Sequence, residues 1–368
     1  MAEVLLKELS NTDINWLIET GRQEEVYAGD VLIEQGNPID KLYVVLEGTL
    51  TVSVPQAESD PLALAFSALE GRETSEREIA RLSSGEVVGE VGLWDGRSPS
   101  TTVRALEKSL VLSISQKQLA TKLQEDVDFA AHFYHAIAIL LSEQLRDLVN
   151  QFGHSRFARG SSMRQVFFVF GELSDSDIDW LIAAGHREEI PAGAVLISEG
   201  RPVDGLYILL NGGMTVSVCE QERNPLALVF ANLDGDGSET PDREIARLLR
   251  GDIVGEMPFV DEHLPTTTVK AFEDSLVLMI PRQQLAVKLQ QDVIFASHFY
   301  RMIAIILSDR LRDIVSRVGY GRRVYFEGQT LDEDVEYEDE LDLTVLDHAA
   351  LAGARFDWML QRLRVKGA

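Results

Sequence analysis

The sequence predicts an α+β chain made of two successive copies of one domain, each a jelly-roll-like roll of short β-strands flanked by helices at its N- and C-terminal ends. Three observations lead there. The chain has an internal repeat that runs through most of its length, the hydrophobic period inside each copy switches from helix to strand and back, and 368 residues suit two cores of ~100 to 150 residues each better than one.

The repeat is read directly. Leu9-Ser-Asn-Thr-Asp-Ile-Asn-Trp-Leu-Ile recurs as Leu173-Ser-Asp-Ser-Asp-Ile-Asp-Trp-Leu-Ile, and Ala28-Gly-Asp-Val-Leu-Ile as Ala192-Gly-Ala-Val-Leu-Ile. Arg77-Glu-Ile-Ala-Arg-Leu recurs as Arg243-Glu-Ile-Ala-Arg-Leu, slightly farther on because the second copy has a longer loop before it. The match continues to Leu145-Arg-Asp-Leu-Val and Leu311-Arg-Asp-Ile-Val. Each copy is too long for a solenoid unit and reads as a whole domain. The expected domains are 1–150, a linker at 151–164, a second domain at 165–318, and 319–368 as an acidic segment with an amphipathic helix.

Within the first copy, 12–19 reads as a short helix with Thr12 or Asn11 as its N-cap. Glycine and proline signals then separate β-rich pieces at 24–27, 31–34, 42–47, 50–54, 63–68, 78–82, 101–105 and 110–114. Many short strands at this spacing suggest a roll or barrel. Helices at 116–123 and 127–150 close the copy, and 293–317 repeats the longer one. That longer helix is apolar around more than half its circumference, whereas one packing face takes a stripe of only ~100°. It therefore needs a second helix. The matching residues Phe133, Ile137 and Leu140 against Phe299, Ile303 and Ile306 are the expected interface, within one chain or between chains.

The stretches Val31-Leu-Ile-Glu-Gln-Gly-Asn-Pro-Ile-Asp-Lys-Leu-Tyr-Val-Val-Leu-Glu-Gly and Gly85-Glu-Val-Val-Gly-Glu-Val-Gly-Leu resemble the cyclic-nucleotide-binding domain. So do Val195-Leu-Ile-Ser-Glu-Gly-Arg-Pro-Val-Asp-Gly-Leu-Tyr and Gly251-Asp-Ile-Val-Gly-Glu-Met in the second copy. The resemblance covers most of 5–316, is closest in detail to bacterial members with a cyanobacterial cast, and implies an eight-stranded β-roll flanked by helices. In single-domain relatives such as catabolite activator protein, it implies long C-terminal helices paired across a homodimer.

The resemblance also implies a phosphate-binding cassette: a Gly-Glu step, a short helix, then a Pro-Arg-Ala-Ala-Thr-Val run. Backbone N–H groups hold the cyclic phosphate, the Arg adds a charge-assisted pair, and the Glu accepts from the ribose 2′-hydroxyl. Carried over residue by residue, the first cassette is Gly89, Glu90, Ser100 and Thr101, with Arg97 as a nearby cation. The second is Gly255, Glu256, Thr266 and Thr267. Counting back from Thr102-Val103 and Thr268-Val269, the Arg position holds Pro99 and Pro265. Proline removes the guanidinium and a backbone donor together. Asp261, Glu262 and His263 in the corresponding stretch make the second site a poor setting for a phosphate. A cyclic nucleotide is thus the ligand the family would take, and this sequence disfavours it; no other cofactor is expected. A plainer reading also fits: the Glu residues open short helices, and the glycines serve turns.

Composition narrows the remaining classes. A formal charge of -26 repels a phosphate backbone, so no nucleic-acid partner is expected, and no helix-turn-helix pattern follows either roll. No apolar run reaches the ~20 residues of a membrane helix. The N-terminal residues lack the pattern of a secretory signal, and the lone Cys219 excludes an internal disulfide; both point to the cytoplasm. His132, His135 and His298 form no metal-ligand spacing, and no catalytic motif is found, so catalytic and metal sites are read as none.

The linker segment at 153–164 is locally basic, and 331–343 holds acidic residues at Asp332, Glu333, Asp334, Glu336, Glu338, Asp339, Glu340 and Asp342, an extended, self-repelling stretch. Beyond it 346–365 is amphipathic, either a lid on its neighbouring β-roll or a dock for another subunit or partner. The function expected is a non-enzymatic regulatory or interaction protein that acts through oligomerisation and protein partners. The alternative is a sensor of a cyclic nucleotide or other small anion that relays binding through its helices.

Overall fold

The computed structural model describes residues 2–55, 76–90, 98–152, 170–218, 243–261, 263–319 and 343–365. The expected strand at 63–68, the linker at 153–164, the acidic run up to 342, Arg97, Glu262 and Cys219 lie outside them.

The first copy begins with α1 (Ala2–Glu8) and α2 (Asn11–Thr20). The N-cap of α2 is Ser10 in place of the expected Asn11 or Thr12. The reason is a reciprocal pair of bonds: the Asp13 N–H donates to Ser10 Oγ (3.2 Å), and the Ser10 N–H donates to Asp13 Oδ2 (2.9 Å). Ser174 and Asp177 repeat this capping box before α5 (Asp175–Ala184).

Among the described residues, eight strands follow in each copy. In the first they are β1 (Arg22–Val26), β2 (Val31–Ile33), β3 (Lys41–Glu47), β4 (Leu50–Pro55), β5 (Glu76–Leu82), β6 (Val87–Val88), β7 (Thr102–Ala105) and β8 (Ser109–Ser115). They form two four-stranded antiparallel sheets, β1-β8-β3-β6 and β2-β7-β4-β5. The second copy has β9 (His186–Ile190), β10 (Val195–Ile197), β11 (Gly205–Asn211), β12 (Met214–Val218), β13 (Arg243–Leu248), β14 (Ile253–Val254), β15 (Thr268–Ala271) and β16 (Ser275–Pro281). Its sheets are β14-β11-β16-β9 and β10-β15-β12-β13, the same order transposed. Alternate residues turn inward, so that Val45, Leu50, Val103 and Val111 meet in the first core and Leu209, Met214, Val269 and Val277 in the second.

Each roll is closed by a short and a long helix: α3 (Gln116–Glu125) and α4 (Val127–Phe152), then α6 (Arg282–Gln291) and α7 (Val293–Gly319). A final helix, α8, spans Leu343–Arg362. The join to the N-terminal helices uses one device twice. Lys122 pairs with Asp126 and lies over the Trp16 ring, and Lys288 pairs with Asp292 and lies over the Trp180 ring. Among the described residues no helix is long and apolar enough to cross a membrane.

The compact units are drawn differently from the sequence repeat. One comprises Met1–Leu148 with Val293–Leu351, the other Val149–Asp292 with Ala352–Ala368. In the first unit α7 lies against β4 and meets α4, where the His135 and Tyr300 rings stack with centroids 4.2 Å apart and the Arg301 guanidinium sits 5.9 Å from the Tyr134 ring. Both helices bury their apolar faces: Phe133, Ile137, Leu140, Phe299, Ile303 and Ile306 are all at most 4% exposed.

Ile137 and Ile303 are fully enclosed. Placing a carboxylate there leaves a buried charge without a partner, so Ile137→Asp and Ile303→Asp should each cost about 3 to 5 kcal/mol. Denaturant unfolding of the two variants measures this, and midpoints equal to that of the unmutated chain would contradict it.

Candidate functional site

In each roll the residues that resemble a phosphate cassette are positioned by one backbone feature. After β6 the chain turns at Gly89, with φ +93°, where a Cβ would lie 2.7 Å from the Lys41 carbonyl oxygen. After β14, Gly255 has φ +82°, and a Cβ there would lie 2.5 Å from the Gly205 carbonyl. Only glycine passes so close to the neighbouring strand in this conformation. The turn carries the next side chain, Glu90 or Glu256, into the interior, where both are buried.

The two glutamates then part ways. Glu90 Oε2 is enclosed with no hydrogen-bond partner among the described residues. Burial pushes its carboxyl up to about 7 from the ordinary 4.5, opposed only by its own backbone N–H. Glu256 opens the short 3-10 helix Met257–Phe259, the helix the cassette resemblance implies, without its side chain capping that helix. Glu256 has interaction partners of its own.

The closing run of each cassette is clipped to the turn after β2 or β10. The Gly36 N–H donates to the Pro99 carbonyl (3.0 Å), and the Gln35 N–H donates to Thr102 Oγ1 (3.3 Å). The same bonds run from Gly200 to the Pro265 carbonyl (2.9 Å) and from Glu199 to Thr268 Oγ1 (3.2 Å). Pro99 is buried. Ser100 and Thr101, like Thr266 and Thr267, are half-buried beside these prolines. The described parts of the two cassettes therefore share the same backbone bonds, each beside a proline that has neither charge nor N–H.

One cation adjoining the first cassette is committed elsewhere. Arg104, on β7, donates to the Gly29 carbonyl (2.9 Å) and lies 3.7 Å from Glu76. In the second copy the Asp261 carboxylate accepts from the His263 N–H (3.0 Å), leaving the stretch acidic. Two side chains not anticipated from the sequence touch the first cassette. Gln116, opening α3, donates to the Gly89 carbonyl (3.3 Å), and Arg312 on α7 donates to the Ser98 carbonyl (3.4 Å). Gln116 had a local signal in its place just after β8. Arg312 had none, since it lies far along the chain. Among the described residues no cluster of His, Cys, Asp and Glu is arranged to hold a metal ion.

Comparison with known proteins gives a family-model match to the cyclic nucleotide-binding domain over residues 23–126 and again over 187–292. Among curated proteins, lysophospholipase nte1 of Neosartorya fischeri is 22% identical over 78% of this chain and 17% of its own length. The cGMP-dependent protein kinase egl-4 of Caenorhabditis elegans is 22% identical over 72% of this chain and 26% of its own length. The chain thus spans about a sixth to a quarter of the length of these relatives. Among solved structures, the regulatory domain of Toxoplasma gondii PKA with cAMP is 16% identical, covers 79% of this chain and 89% of its own, and superposes with a TM-score of 0.28.

The raised Glu90 carboxyl sets a pH dependence. Its native pKa of about 7 exceeds the ordinary 4.5, so its contribution to stability is fully present below about 4.5 and is lost as pH rises through about 7. Glu90→Gln lacks that titration. Urea unfolding at about pH 5 and about pH 8 should show the variant gaining on the parent at the higher pH; parallel curves would contradict the burial of an unpaired carboxyl.

Proposed function

The chain belongs to the cyclic nucleotide-binding domain family in both of its copies, and from that premise we propose that it is a non-enzymatic regulatory or interaction protein that works without a cyclic nucleotide. The observation that carries this is Pro99 and Pro265 at the cassette's cation position, each with its carbonyl engaged by the turn after the preceding strand. A charge-assisted hydrogen bond contributes about 1.5 to 3 kcal/mol, so its loss lowers phosphate affinity about tenfold to a hundredfold or more. The missing proline N–H lowers it further.

On this reading the frame of the family is retained for its shape, and its output passes through protein contacts. The long helices supply that output. Phe133, Ile137 and Leu140 of α4 with Phe299, Ile303 and Ile306 of α7 form an internal equivalent of a homodimer contact, and a protein partner or a second copy uses the surfaces that remain. The charge of -26 argues against a nucleic-acid partner.

A second reading draws support from Glu90 and Arg312. An enclosed carboxylate oxygen without a partner suits a ligand hydroxyl, and Arg312 links the Ser98 carbonyl to α7, a path by which an occupied first cassette would pull on the helix pair. That is the sensor alternative, confined to the first copy.

Calorimetric titration of the whole chain with cyclic AMP and cyclic GMP separates the two. No heat of binding is expected at micromolar ligand, and micromolar binding at either site would overturn the proposal in favour of the sensor. Pro99→Arg should restore affinity more than Pro265→Arg does, because Asp261 opposes an anion in the second site.

A further inference from the structure

The second compact unit grips the C-terminal helix with residues that the first copy does not possess. Ala352, Phe356, Met359 and Leu360 of α8 are buried, and the Phe356 ring meets that of Phe170 with centroids 5.0 Å apart. Polar contacts surround this apolar strip. Arg355 donates to the carbonyls of Phe170 (3.3 Å) and Gly171 (3.0 Å) and to Asp175 Oδ1 (3.0 Å). Arg362 lies 3.1 Å from Asp179 Oδ1, one turn farther along α5. From β9, Arg187 donates to the Leu363 carbonyl (2.9 Å), just past the end of α8, where helix carbonyls lack partners. Arg250 covers the Phe356 ring and reaches Asp357.

The repeat provides an internal control. Phe170, Asp175, Asp179, Arg187 and Arg250 correspond to Leu6, Asn11, Asn15, Gln23 and Ser84 in the first copy. Ser174, Asp177 and Trp180 instead keep Ser10, Asp13 and Trp16. Residues that build the shared fold recur, while the charged ones touching α8 do not. Exposed ion pairs add little stability; they fix register and select the partner, and the apolar strip supplies affinity. Four charges found only where a helix is seated therefore point to recognition of that helix.

We propose that this face of the second unit is a recognition site for an amphipathic helix carrying two arginines seven residues apart. The chain's own α8 occupies it in cis, and a partner protein presenting such a helix engages the site by displacing α8. The displaced helix stays covalently joined to the chain, so exchange is reversible and set by its effective concentration. The proposal rests on the interaction-module reading only for the use of the site. Its test involves no nucleotide, so either can fail alone.

The probe is a fluorescein-labelled peptide of residues 343–365, titrated into full-length chains and read by anisotropy. It should bind Arg355→Ala/Arg362→Ala at least about tenfold more tightly than the unmutated chain, whose site is filled, a difference of about 1.4 kcal/mol. Adding Asp175→Asn and Asp179→Asn, the first copy's residues, should weaken that binding at least about fivefold. Equal binding to the unmutated chain and the arginine variant, no binding to either, or no effect of the aspartate changes would each overturn the proposal. Asp175 and Asp179 are 79% and 49% exposed, so their substitution spares the fold. Should the arginine variant unfold, Asp175→Asn/Asp179→Asn alone decides: amide exchange along 343–365 should quicken about fivefold, and unchanged exchange would overturn the proposal.

Discussion

Two helices that are apolar around more than half their girth have to be covered from two sides, and much of this architecture follows from that requirement. α4 and α7 close different rolls in sequence order, yet both belong to one compact unit. Their contact has the reciprocity of a two-fold interface. The repeat equates Tyr134 with Tyr300 and His135 with Arg301, and the ring contacts run from Tyr134 to Arg301 and from Tyr300 to His135. Polar groups in the seam are accommodated. His135 Nδ1 lies 2.9 Å from Glu8, and burial, with the Glu8 charge behind it, pushes the Tyr300 hydroxyl up to about 12. Each large side chain so enclosed contributes about 1.5 to 3 kcal/mol.

The same pairing brings Arg312 to the first cassette, and there the physical chemistry of the site is a frame without its charge. Positive-φ glycines, inward glutamates and the carbonyl clips at Pro99 and Pro265 are all in place. What binds a phosphate is the guanidinium and the N–H, and proline excludes both. Independently of the prolines, burial shifts the Glu90 carboxyl toward its protonated form.

Much of this was legible in the sequence because the signals were local or duplicated. Seven of the expected strands fall on observed ones in the first copy, their ends marked by Gly and Pro. The Ser10 cap was missed although Ser-x-x-Asp spells it, because Asn11 and Thr12 are equally good capping residues and only the Asp13 carboxylate decides among the three. β6 and β14, two residues each, are too short to show a period. The broad, matching apolar faces of α4 and α7 announced that the two helices meet, and left open whether they do so within one chain or between chains. Likewise 346–365 revealed an amphipathic helix but not its seat, which depends on Asp175, Asp179, Arg187 and Arg250, residues that look like ordinary surface charge until the structure brings them to α8.

We propose that the packing of the α4–α7 seam does not respond to a cyclic nucleotide. Amide hydrogen exchange of the whole chain, with and without millimolar cyclic AMP, measures this along both helices and over 98–105. The account predicts strong and identical protection in the two conditions. Slowed exchange in α4, α7 and the cassette on adding the nucleotide would contradict it.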